Sequence, residues 1–160
     1  MAGKVGLDIG DLAPELCLVN QDKEETCLKN LPGKWIILYF YPKDMTPGCT
    51  TEAIDFSTEK HSLTKLNAVI LGVSPDSADR HCKFIAKHDL KITLLSDPEK
   101  EALQEFGVWQ KKKMAGKEFW GVVRSTFLID PEGVIRDKWT NVKVKGHVEA
   151  VKASLEKLSG

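Results

Sequence analysis

The sequence predicts an α/β protein in which a mixed sheet lies between layers of helix. Three observations lead there. Two runs, WIILYFY from Trp35 to Tyr41 and AVILGVS from Ala68 to Ser74, are continuously apolar and β-prone, as central strands buried on both faces must be. A third run, RSTFLID from Arg124 to Asp130, passes through the turn Pro131-Glu132-Gly133 into the strand-like VIRDKWT. Between these strands lie stretches whose apolar residues recur at helical spacing.

The elements follow in order. PELCLVNQDKEETCLKNL reads as an N-terminal β-hairpin around the polar turn Asn20 to Glu24. Pro42 ends the first central strand, and Thr46-Pro47 opens a helix expected to continue to about Lys65. A second helix is expected to start at Ser74-Pro75, with Ala78, Cys82, Ile85 and Ala86 as its apolar stripe. A third covers Pro98 to Phe106. The last covers His147 to Leu158, with Val148, Val151, Leu155 and Leu158 on one stripe. Lys111-Lys112-Lys113 reads as a solvated loop. No repeat or linker interrupts the pattern, so a single domain over residues 1–160 is expected.

The totals exclude several classes. Formal net charge is zero, so no basic footprint points to nucleic acid or to an anionic membrane. The apolar run at Trp35 is too short to span a bilayer, and the first residues carry no signal-like segment, which favours a cytoplasmic protein. The 4 cysteines, Cys17, Cys27, Cys49 and Cys82, form no CxxC pair and no zinc-type cluster with histidine. A cytosolic setting would keep them reduced.

Cys49 stands out. It falls in the first turn of the helix opened by Thr46-Pro47, just beyond the carboxyl end of a central strand, where ligands of such sheets gather. Amides of a helix's first turn have no partner within it, and the helix dipole favours negative charge there. That position favours the thiolate, which is the nucleophilic form of cysteine. Gly48 lets a small molecule approach the sulfur. The alternative is a small buried residue behind a plain cap, a common use of free cysteine. Arg124 bears on the choice. An arginine leading an apolar strand is costly to bury without an anion, and beside a thiolate it would both stabilise the sulfur and hold an oxyanion. Its alternative is an outward-facing strand-end residue. Glu52, one turn beyond Gly48, either orients Arg124 or complements the helix start. Trp120 lines an entrance or packs in the core. His61, His81, His88 and His147 share no cluster, and solvent or local caps are expected for them.

FYPKDMTPGCTTEA resembles the peroxiredoxin signature Pro-x-x-x-Thr-x-x-Cys at Pro42, Thr46 and Cys49. With GVVRSTFLIDPEG and VKVKGHVEAV, the likeness extends to the bacterioferritin comigratory protein subfamily and runs from about Asp11 to Leu158. The resemblance implies a thioredoxin-like fold, an antioxidant peroxidase acting on hydrogen peroxide and organic hydroperoxides, and no metal or organic cofactor. It implies that Cys49 is the peroxidatic cysteine, that Thr46 holds the peroxide, that Arg124 stabilises thiolate and peroxide, and that Pro42 shields the sulfur. Thioredoxin or a similar dithiol would return the electrons to a monomer or weak dimer. The sequence departs from the subfamily's two common forms. Where one carries its resolving cysteine five residues after the peroxidatic one, this chain has Ile54. The other form's site aligns with Ile85, and this chain instead has Cys82 about one turn earlier. Cys82 is thus the candidate resolving residue, core packing being its alternative. Cys17 and Cys27, placed to face each other across the hairpin, are expected to be structural or incidental thiols. A metallochaperone on such a fold would want a CxxxC pair, and a thioredoxin-type reductase a CxxC; neither occurs. A thiol-sensing module with little turnover differs from the enzyme only in peroxide consumption.

Overall fold

A computed structural model describes residues 7–160; the first six residues of the expected single domain lie outside that range. Seven strands form one mixed sheet in the order β2-β1-β5-β4-β3-β8-β9. The hairpin is β1 (Cys17–Asn20) and β2 (Glu25–Cys27). At the sheet's centre, β3 (Trp35–Phe40) runs parallel to β4 (Ala68–Ser74), which runs parallel to β5 (Thr93–Ser96). On the other side β8 (Ser125–Ile129) and β9 (Ile135–Trp139) add antiparallel. The helices are α1 (Pro47–Lys65), α2 (Ala78–His88), α3 (Glu101–Glu105) and α4 (His147–Ser159). An antiparallel ribbon of β6 (Trp109–Met114) and β7 (Lys117–Val122) stands apart from the main sheet.

Every residue of β3 is buried, and its alternation sorts the core into two layers. Trp35, Ile37 and Tyr39 face α1, α2 and α4 through Phe56, Leu63, Phe84, Val151 and Leu155. Ile36, Leu38 and Phe40 face the other way, onto Leu103, Phe106, Val108 and Phe127. This is the two-faced burial that the continuous apolar run predicted, and it gives the helix-sheet-helix layering of a thioredoxin-like fold.

Four sequence expectations need correction. The second helix is capped by Ser77, whose Oγ accepts from the Arg80 amide at 3.2 Å, and not by Ser74. Ser74 ends β4 and spends its hydroxyl on Asp76 Oδ2 at 2.8 Å. The buried face of α2 is Ala78, His81 and Phe84, so the stripe is turned by about one residue and Cys82 points to solvent. The third helix begins only at Glu101, because Asp97 takes the amides of Glu101 and Leu103 at 3.0 and 2.9 Å and holds the preceding turn apart. The lysine run forms β6, paired residue for residue with β7, so that Lys111 meets Trp120.

Cys17 and Cys27 do face each other across the hairpin, with Cα atoms 4.1 Å apart, and they are joined as a disulfide instead of remaining the reduced thiols expected. The hairpin register, with Cys17 opposite Cys27, brings the two sulfurs within reach of each other.

Candidate active site

The site is assembled where β3 ends and α1 begins. Tyr41 is the last residue aligned with the sheet, its amide donating to Val73 O at 3.0 Å. The chain then turns through Pro42 to Thr46, with Met45 in the left-handed region at φ 67°. Pro47 takes the first helical position, where its missing N–H costs nothing. Cys49 follows in the same turn and is 1% exposed.

Thr46 occupies the N-cap position with extended backbone, and its carbonyl accepts from the Thr50 amide at 2.8 Å. Its side chain, however, caps no amide. The Thr46 hydroxyl donates instead to Lys43 O at 2.8 Å, closing the turn. The plain-cap alternative for Thr46 therefore fails, and the amides of the first turn, Gly48 and Cys49 among them, have no partner from this cap.

Arg124 immediately precedes β8, the antiparallel neighbour of β3, and this register carries it over the start of α1. Its Nη2 donates to Cys49 Sγ at 3.3 Å and its Nη1 to Glu52 Oε1 at 2.7 Å. The two ends of one planar fork thus hold the thiol and a carboxylate three residues apart on one helix face. Gly48 makes this approach possible: a Cβ there would lie 3.3 Å from Nη2. The outward-facing alternative for Arg124 is excluded, since its side chain is only 18% exposed.

Glu52 is fully buried and orients the guanidinium, the first of its two expected roles. Burial pushes its carboxyl up to about 7, against the pull of Arg124. Among the described residues its second oxygen, Oε2, has no hydrogen-bond partner, and neither does the buried Tyr39 hydroxyl. Burial works against the charge of Arg124, but Glu52 and Cys49 outweigh it and raise the guanidinium above its ordinary value. The field of Arg124 extends further. Burial, then Arg124, lowers Lys112, whose ammonium donates to Val122 O at 2.8 Å. The same two causes lower His147 to about 4.

The other predicted residues divide. Pro42 is half-buried in the loop before Thr46. Cys82 lies on α2 as a free, exposed thiol, unbonded to the buried Cys49. Trp120 is 58% exposed and stacks on Trp109 with ring centroids 6.4 Å apart, so it does not pack in the core.

Two histidines contradict the expectation of solvent or local caps. His147 is buried, with Nε2 2.7 Å from Thr126 Oγ1. His81 is fully buried against Asp44 and Tyr41. Their partners are distant in sequence, and only the short spacing of Tyr41 and Asp44 within YPKD could have hinted at them.

The AhpC/TSA family model matches residues 9–138. Peroxiredoxin Bcp of Bacillus subtilis (strain 168) is 50% identical over 153 residues, covering 96% of this chain and 98% of that protein. Among solved structures, Xanthomonas campestris Peroxiredoxin Q superposes with a TM-score of 0.89 at 40% identity, covering 98% of this chain and 99% of the other. A structure of the X. campestris bacterioferritin comigratory protein, described for its alkyl peroxide reduction activity, gives 0.89 at 39% identity over 98% and 100%. With these likenesses the chain belongs to the AhpC/TSA family, as a peroxiredoxin of the bacterioferritin comigratory protein branch: a thiol-dependent peroxidase.

Proposed function

We propose that Cys49 is the peroxidatic cysteine, that Arg124, Thr46 and Pro42 form its surroundings, and that Cys82 resolves the oxidised intermediate. The observation that carries this reading is the 3.3 Å contact of Arg124 Nη2 with Cys49 Sγ at the open first turn of α1.

The steps follow from that arrangement. The Cys49 thiolate attacks one oxygen of a hydroperoxide in line with the O–O bond. The S–O bond forms as the O–O bond breaks, and the leaving oxygen takes a proton to become water or an alcohol. Cys49 is left as a sulfenic acid. Arg124 holds the thiolate before attack and the growing negative charge on oxygen during it. The uncapped first-turn amides give a second source of donors for the same oxygens. Pro42 covers the thiol from water, and Thr46, with its hydroxyl proton given to Lys43 O, offers lone pairs to the protonated peroxide oxygen. Organic hydroperoxides are included among the substrates because alkyl peroxide reduction is the activity described for the X. campestris relative.

Cys82 then attacks the sulfenic sulfur. A disulfide forms, water leaves, and thioredoxin or a similar dithiol reduces the disulfide by exchange, being oxidised in turn. Since a disulfide needs Cα atoms within about 7 Å, and Cys82 is exposed while Cys49 is buried, α2 or the start of α1 has to open for the bond to close. The enzyme is taken to act in the cytoplasm as a monomer or weak dimer without nucleic acid; among the described residues no helix is long and apolar enough to cross a membrane.

Mass spectrometry after one equivalent of peroxide tests the assignment. The parent should yield a Cys49–Cys82 peptide. Cys49→Ser should consume no peroxide. Cys82→Ser should consume one equivalent and then stall or over-oxidise when thioredoxin is the sole reductant. Normal turnover of Cys82→Ser with thioredoxin, together with no Cys49–Cys82 peptide in the oxidised parent, would mean that an external thiol or another of the protein's own cysteines resolves the intermediate.

A further inference from the structure

The buried network that the reaction above leaves unused joins α2 to the active-site loop. Asp44, in that loop, and His81, on α2, are both fully buried. His81 Nε2 lies 2.9 Å from Leu95 O, and a carbonyl only accepts, so Nε2 carries a proton. His81 Nδ1 lies 2.6 Å from Asp44 Oδ2, and one proton is shared between them. The Tyr41 hydroxyl donates to the other oxygen, Asp44 Oδ1, at 2.5 Å. Burial raises the Tyr41 phenol well above its ordinary range, with Tyr39 and Asp44 adding to the effect, which keeps it a donor. The Asp44 amide donates in turn to Asp76 Oδ2 at 2.7 Å, just ahead of α2. Asp76 is itself held by Ser74 Oγ at 2.8 Å and by Arg80 Nε at 3.2 Å.

We propose that Asp44 and His81 are positioning residues forming a latch, which holds α2 against the loop bearing Pro42 and Thr46 while peroxide is attacked and which parts before Cys82 reaches Cys49.

Placement supports this role. His81 immediately precedes Cys82, and successive helical side chains diverge by about 100°. The residue that anchors α2 inward thus sits beside the one that must travel. Met45 sits between Asp44 and Thr46 in a left-handed conformation that a non-glycine residue keeps only where its surroundings impose it. The latch supplies that constraint on one side and the Thr46 to Lys43 hydrogen bond on the other. Opening the latch releases both the strained turn and the helix that carries Cys82. A buried pair that both tightens the closed site and opposes the open one should therefore affect the two chemical steps in opposite directions.

The latch rests on the reading that Cys82 resolves Cys49, and the test keeps the two apart. In the reduced protein, Asp44→Ala should raise amide exchange across Ala78–His88 relative to His147–Ser159 by on the order of a hundredfold, the size expected when a buried pair loses one partner. After one equivalent of peroxide, sulfenic acid should form more slowly in this variant than in the parent, and the Cys49–Cys82 disulfide should close faster. Asp44→Asn, which can accept from Tyr41 and donate to His81 Nδ1, should rescue both steps. If Asp44→Ala does not fold, Tyr41→Phe removes one hydrogen bond to the same carboxylate and should give the same opposite signs, about fivefold in size. Equal changes in both steps, or α2 exchange that moves no more than that of α4, would overturn the latch. If the parent forms no Cys49–Cys82 disulfide, the resolving role of Cys82 fails, and the latch is then decided by α2 exchange and the rate of attack alone.

Discussion

Replacing Arg124 by methionine removes the guanidinium while keeping much of the side chain's volume. Two contacts are lost: Nη2 to Cys49 Sγ at 3.3 Å and Nη1 to Glu52 Oε1 at 2.7 Å. The first acts on the reaction. A positioned donor aimed at developing charge in a water-poor site contributes about 100- to 1,000-fold in rate. Cys49 is 1% exposed, so little water replaces the lost donor, and the upper part of that range is expected. The second contact acts on stability. Breaking a buried ion pair by removing one partner costs about 3–5 kcal/mol when the remaining charge is stranded. Glu52 need not be stranded: its carboxyl is already pushed up to about 7 by burial, with Arg124 pulling it down, so without Arg124 it takes a proton near neutral pH. The stability loss should therefore be well below that range, and the variant should remain folded. The assay is the second-order rate of sulfenic acid formation with hydrogen peroxide, read beside thermal unfolding. Arg124→Lys should recover only part of the rate, because an ammonium cannot span sulfur and carboxylate as the planar fork does. A folded Arg124→Met variant that attacks peroxide at the parent rate would refute the electrostatic role.

Two further predictions concern the same cluster. Glu52 has a raised value in the folded state, so the folded protein holds a proton that the unfolded chain releases, and stability falls as pH rises from about 4.5 to about 7. His147 is lowered from 6.5 to about 4, so the unfolded chain takes up a proton first and stability rises with pH across that interval. The two slopes oppose each other where they overlap, and Glu52→Gln should expose the His147 slope as a rise of up to about 3 kcal/mol in denaturant titrations between pH 4 and 6.5; an unchanged pH profile would refute both assignments. Gly48→Ala places a Cβ 3.3 Å from Arg124 Nη2 without disturbing the helix, so it should slow attack on peroxide several-fold with unfolding temperature nearly unchanged.

Much of this protein follows from its sequence by local rules. The continuous apolar runs at Trp35 and Ala68 permit no exposed face, so they had to be central strands, and their alternation divides the core into its two layers. Thr46-Pro47 sets the start of α1, and with it the place of Cys49, through backbone chemistry that acts within a few residues. The resemblance at Pro42, Thr46, Cys49 and Arg124 identified the family before any contact was known. What tertiary structure decided lies between residues distant in the chain. The antiparallel register of β8 on β3 brings Arg124 to within 3.3 Å of a thiol 75 residues earlier. The turn of α2 that buries His81 and exposes Cys82 depends on Asp44 being there as its hydrogen-bond partner, which a helical stripe drawn from apolar residues alone cannot register. Helical periodicity ranks side chains by their own hydrophobicity. A buried polar pair lowers the cost of burial for both partners only when the fold brings them together, and that gain is written in neither segment alone.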